Sequence, residues 1–476
     1  MKSSNSPAAV PAQIELRLGT TLVTVQGSPT TASVSHPAMR ASISHSWRAL
    51  QHRNFRLFVM GQGVSMIGTW MTRLATSWLV YRITHSALQL GIVIFAGQLV
   101  SFALGPIAGV WVERLNRRKM LVRTQAAAAV QSLAMAVLTL AHVISLWEII
   151  GLAALQGAIN AFDMPGRQSF LVQLVEDRDH LGNAIAINSS MTNGARLVGP
   201  AIAGLVIAVV GEGWCFLIDG VSYIAVIASL LMMHIEPTTT LRNATTMLKQ
   251  MRDGWEYICN FQSLRTVLLL FTVISLMGYS YVGLLPIFAA QVLHGGATTL
   301  GWLTTASGIG ALVSGLSLAM RKSIAGLTGM IQIATAMLGV SLILFGLSHV
   351  LWLSLVLMVF VGFGLMQGVA ISDTIIQSLV TDDKRALAMS YYATAFFGAT
   401  PFGSLLAGVL AHRIGALHTV IVAGAFCLAG SLWCTFKLPN LNAALRQNCG
   451  ENGPLARRGK RQKVAAIRIV RGRVGG

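Results

Sequence analysis

An apolar run over residues 88–112 ends directly in a block of charge, Glu113-Arg114-Leu115-Asn116-Arg117-Arg118-Lys119. The run is long enough to cross a bilayer, which takes about 20 residues, so the block stands at a membrane surface. An acid among guanidinium groups at a helix end can pair with neighbouring helices in one conformation and part from them in another, which biases a two-state equilibrium. Positive charge alone would only mark topology. Glu113 adds the acid that a latch needs.

Other charges lie inside the apolar stretches, at Arg73, Asp163, Arg196, Asp219 and Asp373. An ionised side chain there costs about 2.5–3.5 kcal/mol even on mild insertion scales, so each needs a partner or water. Asp163 has Arg114, Arg117 and Arg167 in reach by residue counting, and Asp373 has Arg321, Lys322 and Arg385. All of these sit at the same membrane side, which makes the two aspartates candidate gate latches. Arg73 and Asp219 fall at similar depth in the outer half, where they could neutralise one another as a buried pair. Arg196 is too deep to reach either surface. Arginine stays protonated, so Arg196 would hold an anionic group or act on a nearby carboxylate such as Asp219 or Asp163.

The elements that must position these residues are transmembrane helices. Hydrophobic residues make up 54% of the 476, charged residues only 11%, and the mean hydropathy is +0.66, too little polar surface for a water-soluble protein of this size. Between about residues 55 and 438 there is room for twelve spans, placed near 57–81, 87–112, 120–143, 147–170, 184–211, 214–235, 266–290, 299–320, 324–347, 350–378, 386–411 and 417–437. The fold class is an all-α membrane protein. Residues 236–265 form the longest internal connection and separate a first six-helix bundle, 55–235, from a second, 266–438. Within the connection Met247, Leu248, Met251, Trp255 and Ile258 recur at helical spacing, the pattern of a short helix lying on the membrane surface.

A net charge of +19 raises the question of nucleic acid, but the basic residues alternate with the spans instead of gathering on one domain. With the N-terminus inside, tails and even-numbered loops hold 31 of the 35 Lys and Arg, which assigns both termini to the cytoplasm. Residues 1–50, rich in Ser, Thr, Ala and Pro, read as a disordered tail without a signal peptide, and Met39 offers an alternative first residue. The stretch 439–476 reads as a basic cytoplasmic tail able to rest on anionic lipid. Cys215, Cys259, Cys427, Cys434 and Cys449 form no paired motif, and the histidines lack metal-ligand spacing, so no metal or cofactor is expected. No phosphate-binding loop pattern occurs, and nothing in the chain reads as an enzyme.

The two halves repeat one another faintly. Asp163 is followed by Gln173, Val175 and Asp177, then by Gly199-Pro200 and Gly204; Asp373 is followed by Gln377, Val380 and Asp382, then by Pro401, Gly403 and Gly408. Such correspondence is the trace of a duplicated six-helix unit. Gly199, Pro200, Gly204 and Pro401 are candidate bending and packing positions, since proline removes a helix hydrogen bond and small residues permit close contact.

The block from Gly109 to Lys119 resembles the loop between the second and third helices of the major facilitator superfamily, with Glu113 where Asp is usual, Asn116 where Gly is usual and Trp111 where an aliphatic residue is usual. Ser65-Met66-Ile67-Gly68-Thr69-Trp70, Trp78 to Ser86, Ala161 to Gln168 and Ala195 to Ala201 resemble the bacterial branch of enterobactin exporters and transmembrane secretion effectors. The likeness implies a twelve-helix transporter of two pseudosymmetric bundles in a bacterial inner membrane, working by alternating access. It carries over no substrate, since the branch includes siderophore and multidrug exporters; the chain as a whole reads as an exporter of a small organic molecule such as a siderophore or drug-like compound, driven by proton antiport. The competing readings are an importer or uncoupled facilitator, and a non-transporting membrane receptor that keeps the fold. In this scheme Arg196, Asp219 and Arg73 serve substrate or proton coupling, and Glu113, Arg114, Arg117, Arg118, Asp163, Arg167 and Asp373 form the cytoplasmic gate.

The charge asymmetry generates a direct test. Single cysteines placed in the 236–265 connection or after Pro439, in a cysteine-free background, should react with an impermeant maleimide only after the cells are opened. Labelling of either segment in intact cells overturns the orientation.

Overall fold

The computed structural model describes residues 15–18, 21–24, 48–175, 178–233, 261–321, 326–380 and 384–452. The chain divides into two compact units, Met1–Arg48 and Ala49–Gly476. In the first, β1 (Glu15–Leu18) pairs antiparallel with β2 (Thr21–Thr24), Leu18 opposite Thr21. This differs from the tail without structure expected over residues 1–50. The second segment, TLVT, carries the β-favouring Thr and Val, and neither segment contains the Pro or Gly of the flanking sequence. The connection 236–265, with its expected surface helix, lies almost wholly outside the described residues.

The second unit is helical. α1 (Arg53–Thr84), α2 (Ala87–Arg114), α3 (Arg117–Leu140), α4 (Leu146–Leu174), α5 (Arg178–Val210) and α6 (Glu212–Met232) form one set. α7 (Gln262–Val273), α8 (Ala297–Ala319), α9 (Leu327–Leu347), α10 (Leu351–Leu379), α11 (Arg385–Ile414) and α12 (Ala416–Asn452) form the other. Among the described residues ten crossings are long and apolar enough to span a membrane on composition alone. The two others, α1 and α4, have 32 and 29 residues but carry Arg73 and the pair Asp163 and Arg167 in their middles. α12 runs on past Pro439 to Asn452, beyond the expected end at 437, through a sequence of helix formers, NLNAALRQ.

The pairings in the two sets correspond one to one. α3 packs on α6 as α9 packs on α12; α2 packs on α4 as α8 packs on α10; α1 lies on α5 and α6 as the seventh crossing lies on α11 and α12. The seventh crossing departs from its counterpart. Whereas α1 is unbroken, the backbone after α7 passes through widened turns at Ile274–Gly278 and Phe288–Val292 and tight turns at Ser280–Leu284. Gly278, Gly283 and Pro286 fall in this stretch, and broken helices within a membrane are tolerated where neighbouring protein re-satisfies the backbone. His85 and His294, both in the left-handed region at φ 47° and 50°, close the equivalent first and seventh crossings.

Lipid tails are as apolar as leucine, so burial of apolar surface does not drive helices together in a membrane, and close packing must. Two glycine crossings join the halves. On α5 a Cβ at Gly204 would lie 2.8 Å from the Ala297 carbonyl of α8, and one at Gly301 would lie 2.7 Å from the Pro200 carbonyl. On α2 and α11 the partners are Gly91, 2.8 Å from the Ser404 carbonyl, and Gly408, 2.9 Å from that of Ala87. Phe95 meets Phe402 edge-on at 5.7 Å, and Thr305 donates to the Leu197 carbonyl at 3.3 Å. These contacts run from mid-helix to the end remote from the charged 113–119 loop. Towards that loop, Gly105 and Gly109 of α2, Gly182 and Gly194 of α5 and Gly315 of α8 have nothing within 4 Å.

A side chain at a crossing must therefore force the halves apart. Gly204→Val and Gly91→Val should each destabilise the purified protein by about 1–3 kcal/mol, the usual cost of overpacking, read as a lower unfolding midpoint in detergent. Gly105→Val, on the open end of the same α2, should leave the midpoint unchanged.

Candidate functional site

A short stretch of α1, from Gly68 to Arg73, presents two faces to two clusters. Residues 68 and 72 are four apart and share the face towards α6. There the buried carboxylate of Asp219 accepts hydrogen bonds on Oδ2 from Thr72 at 2.9 Å and from Ser132 of α3 at 3.1 Å. Its other oxygen has no hydrogen-bond partner and lies where a Cβ on Gly68 would stand 2.8 Å away. Only glycine leaves that room. Asp219 sits seven residues into α6, about 10 Å from its start at 1.5 Å per residue.

The other face of the stretch carries Trp70 and Arg73. The Arg73 guanidinium stands 4.9 Å from the Trp70 ring, and Arg196 of α5 places its guanidinium 5.6 Å from the same ring. α5 comes this close because Gly199, one turn beyond Arg196, has no side chain: a Cβ there would lie 2.6 Å from that of Trp70. Arg73 is exposed and Arg196 half-buried. That exposure is to the bundle interior, because the same face of α1 carries Gln62, which accepts from Arg167 of α4, and Met66, which meets Thr192 of α5. Helices α4 and α5 thus flank it.

The expected Arg73–Asp219 pair is absent. Among the described residues the ion pairs are Arg82–Glu212 at 3.0 Å and Arg167–Asp163 at 2.5 Å. The reason is rotational: Arg73 follows Thr72 directly, so about 100° of helix turn separates them, and Thr72 is the one directed at Asp219. Counting depth along the chain could not supply that angle.

Asp163 is solved differently. Its Oδ2 takes Arg167, one turn on in α4, while Oδ1 accepts from Gln125 at 2.7 Å and Thr124 at 3.0 Å, both on α3. Arg167 also donates to Gln62 of α1 at 3.0 Å. The network ties α1, α3 and α4 within the first half. Of the three arginines considered for Asp163, the one at i+4 on its own helix is the partner, a relation legible from spacing. Arg117 instead donates to the Ser169 carbonyl at 3.1 Å, and Arg118 to the Leu230 and Leu231 carbonyls at 2.7 and 2.6 Å. The latter closes the carbonyl end of α6, where orphan acceptors and the helix dipole favour a cation. Asn116 caps α3 through the Lys119 amide. The side chains of Glu113 and Arg114 lie outside the described residues. In the second half Asp373 has Gln377 at i+4, donating at 3.0 Å, and no ion pair among the described residues.

Trp70, Thr72, Ser132, Thr124 and Gln125 were not singled out from sequence. They are neutral side chains at ordinary helical spacing, a pattern that core positions share. Asp373, with Gln377 beside it, is the second half's counterpart of Asp163, and it makes no ion pair among the described residues. In the second half Phe271 stacks on Tyr392 at 4.2 Å and on Phe396 at 5.5 Å.

The sequence pattern of the family described as transmembrane secretion effectors, a major facilitator family, matches residues 44–462. The chain is 25% identical over 370 residues to the staphyloferrin A transporter of Staphylococcus aureus, covering 78% of this chain and 92% of that one. It is 26% identical to the multidrug efflux pump Tap of Mycolicibacterium fortuitum, over 75% and 88% of the two chains. Among solved structures, a POT family transporter in complex with 5-aminolevulinic acid superposes with a TM-score of 0.67 at 12% identity, over 82% of this chain and 96% of that one. A bacterial homologue of the lysosomal transporter Spinster, inward-facing and occupied, gives 0.65 at 12% identity over 83% and 97%.

The Asp163 network yields a stability test. Asp163→Asn leaves the Arg167 charge without its carboxylate and should cost about 3–5 kcal/mol, as breaking a buried pair does. Removing both charges, with Asp163→Asn and Arg167→Gln together, should cost less than the sum of the single changes. Additive losses in detergent unfolding would show that the two groups do not act as a pair.

Proposed function

The chain belongs to the transmembrane secretion effector family of major facilitator transporters, and on that premise we propose that it is a proton-coupled exporter of a small organic molecule. It acts in a bacterial inner membrane with both termini cytoplasmic. The two halves rock about the Gly91–Gly408 and Gly204–Gly301 crossings, and the arrangement described above, packed at the outer end and open towards the 113–119 loop, corresponds to the state that loads from the cytoplasm.

The observation that carries proton coupling is the Asp219 carboxyl group. It is buried in the membrane, held by two hydroxyls, and has one oxygen without a partner. A buried ionised group left this way is costly, and taking up a proton removes the charge. Asp163 has a guanidinium to cancel its charge and is the structural member of the two. Arg117, Arg118, Asp163 and Arg167 serve the cytoplasmic gate by holding α1, α3, α4 and α6 as one body that moves against the second half, and Glu113 and Arg114 at the end of α2 and Asp373 on α10 belong to the same gate.

The relatives supply the first substrates to try. Inverted membrane vesicles should accumulate a siderophore or drug-like compound when a pH gradient is imposed, and a dissipated gradient should stop it. Asp219→Asn should abolish gradient-driven accumulation while keeping exchange of labelled for unlabelled substrate across proteoliposomes. Equal loss of both activities, in a variant that reaches the membrane folded, would remove Asp219 from the coupling role and leave it a structural residue.

A further inference from the structure

Two guanidinium groups share one indole in the interior of the first half, and neither has a carboxylate within ion-pair distance among the described residues. Among the described residues the buried acids are otherwise engaged: Asp163 with Arg167, Glu212 with Arg82, and Asp219 with Thr72 and Ser132 on a neighbouring face of α1, outside ion-pair distance of Arg73. Arg73 lies about 16 Å from the outer end of α1, and Arg196 about 21 Å from that of α5, at 1.5 Å per residue. Both are therefore well inside a hydrocarbon layer of about 30 Å. An aromatic face attracts a cation, with about 0.5–1 kcal/mol at exposed sites and 2 or more when desolvated, which does not cancel two like charges. The site lacks a negative group.

We propose that Arg73, Trp70 and Arg196 form the cargo site, and that the cargo is an organic anion bearing carboxylate groups. Each planar guanidinium offers a fork of donors that matches a carboxylate bidentately, and the indole between them gives a flat apolar surface for the body of the molecule. A bare inorganic oxyanion would leave that surface unused. The exposure of Arg73 and partial exposure of Arg196 give the cargo access from the interior. Gly199 is what brings the two cations to one ring, because any side chain there pushes α5 off Trp70. Export of an anion also runs with the membrane potential of a cell whose interior is negative, by about 2.3 kcal/mol per charge per 100 mV.

This assignment rests on the transport reading above, and the test separates the two. Purified full-length protein in detergent is titrated with citrate, benzene-1,3,5-tricarboxylate, its neutral triamide, inorganic phosphate and tetraphenylphosphonium, with the unfolding midpoint as readout. The tricarboxylates should raise the midpoint saturably, and the triamide, phosphate and the cation should not. Arg196→Gln and Arg73→Gln should each weaken apparent tricarboxylate affinity by about ten- to a hundredfold, the range for losing a charge-assisted hydrogen bond. Arg196→Lys should retain part of the affinity by keeping the charge, and Trp70→Leu should weaken the aromatic tricarboxylate more than citrate. Each variant is first shown to keep the parental midpoint without ligand. Stabilisation by none of the carboxylates, stabilisation by the triamide or cation in their place, or unchanged affinity in both arginine variants overturns the site. Tricarboxylate binding that depends on both arginines, without flux in proteoliposomes, would instead overturn the transport reading and leave the site standing.

Discussion

Charge inside a membrane must be compensated from within the protein, and the first half of this chain is organised around that requirement. It meets the requirement in different ways at different positions. Asp163 takes a guanidinium from its own helix and two donors from α3. Asp219 takes only hydroxyls. Arg73 and Arg196 take an aromatic face. These solutions differ in completeness: the first leaves no net charge, the second leaves one that a proton can remove, and the third leaves one that only an anion can satisfy. On the reading proposed above, the gradation separates a structural site from sites that exchange something with their surroundings.

Packing makes the gradation possible. Gly68 admits the Asp219 carboxylate to α1, and Gly199 admits Trp70 to α5, so the two incomplete sites depend on the absence of a Cβ at two positions. Glycine crossings also fix where the halves touch, whereas Gly105, Gly109, Gly182, Gly194 and Gly315 towards the other end have no neighbour within 4 Å of a Cβ. A duplicated unit needs only one half to carry the chemistry. Here the second half keeps the helix pairings and shares the glycine crossings, carries Asp373 beside Gln377, and adds the stack of Phe271 on Tyr392 and Phe396 and a broken seventh crossing.

Much of the architecture was legible in the sequence, because hydropathy and Lys/Arg alternation report directly on what lipid and the insertion machinery tolerate. Twelve crossings, the duplicated unit and the positions of the membrane charges follow from those signals. Partner identity does not. Depth along a helix is readable from residue number, but the angle around it decides whether Arg73 or Thr72 meets Asp219, and the hydroxyl of Ser132 lies 87 residues away in sequence. Where both partners share one helix, as Asp163 and Arg167 do, four-residue spacing already contained the answer. Pro439 signalled a helix end that α12 does not obey, since local breaking tendency competes with helix-forming neighbours on both sides.

The stretch from Gly68 to Arg73 joins the two unfinished sites mechanically. Gly68 and Thr72 touch the carboxyl group on α6, and Trp70 and Arg73 face the cation site shared with α5, within six residues of continuous helix. A helical turn is stiff on this scale, because each backbone hydrogen bond spans four residues. A change at Asp219 that lengthens or releases the Thr72 hydrogen bond therefore turns or shifts Trp70 with it, and so alters the geometry offered at Arg196. Coupling between the sites then needs no long pathway and no second moving element. On the proposed roles, it follows from placing the carboxyl group of Asp219 and the two guanidinium groups on different faces of one short stretch of α1.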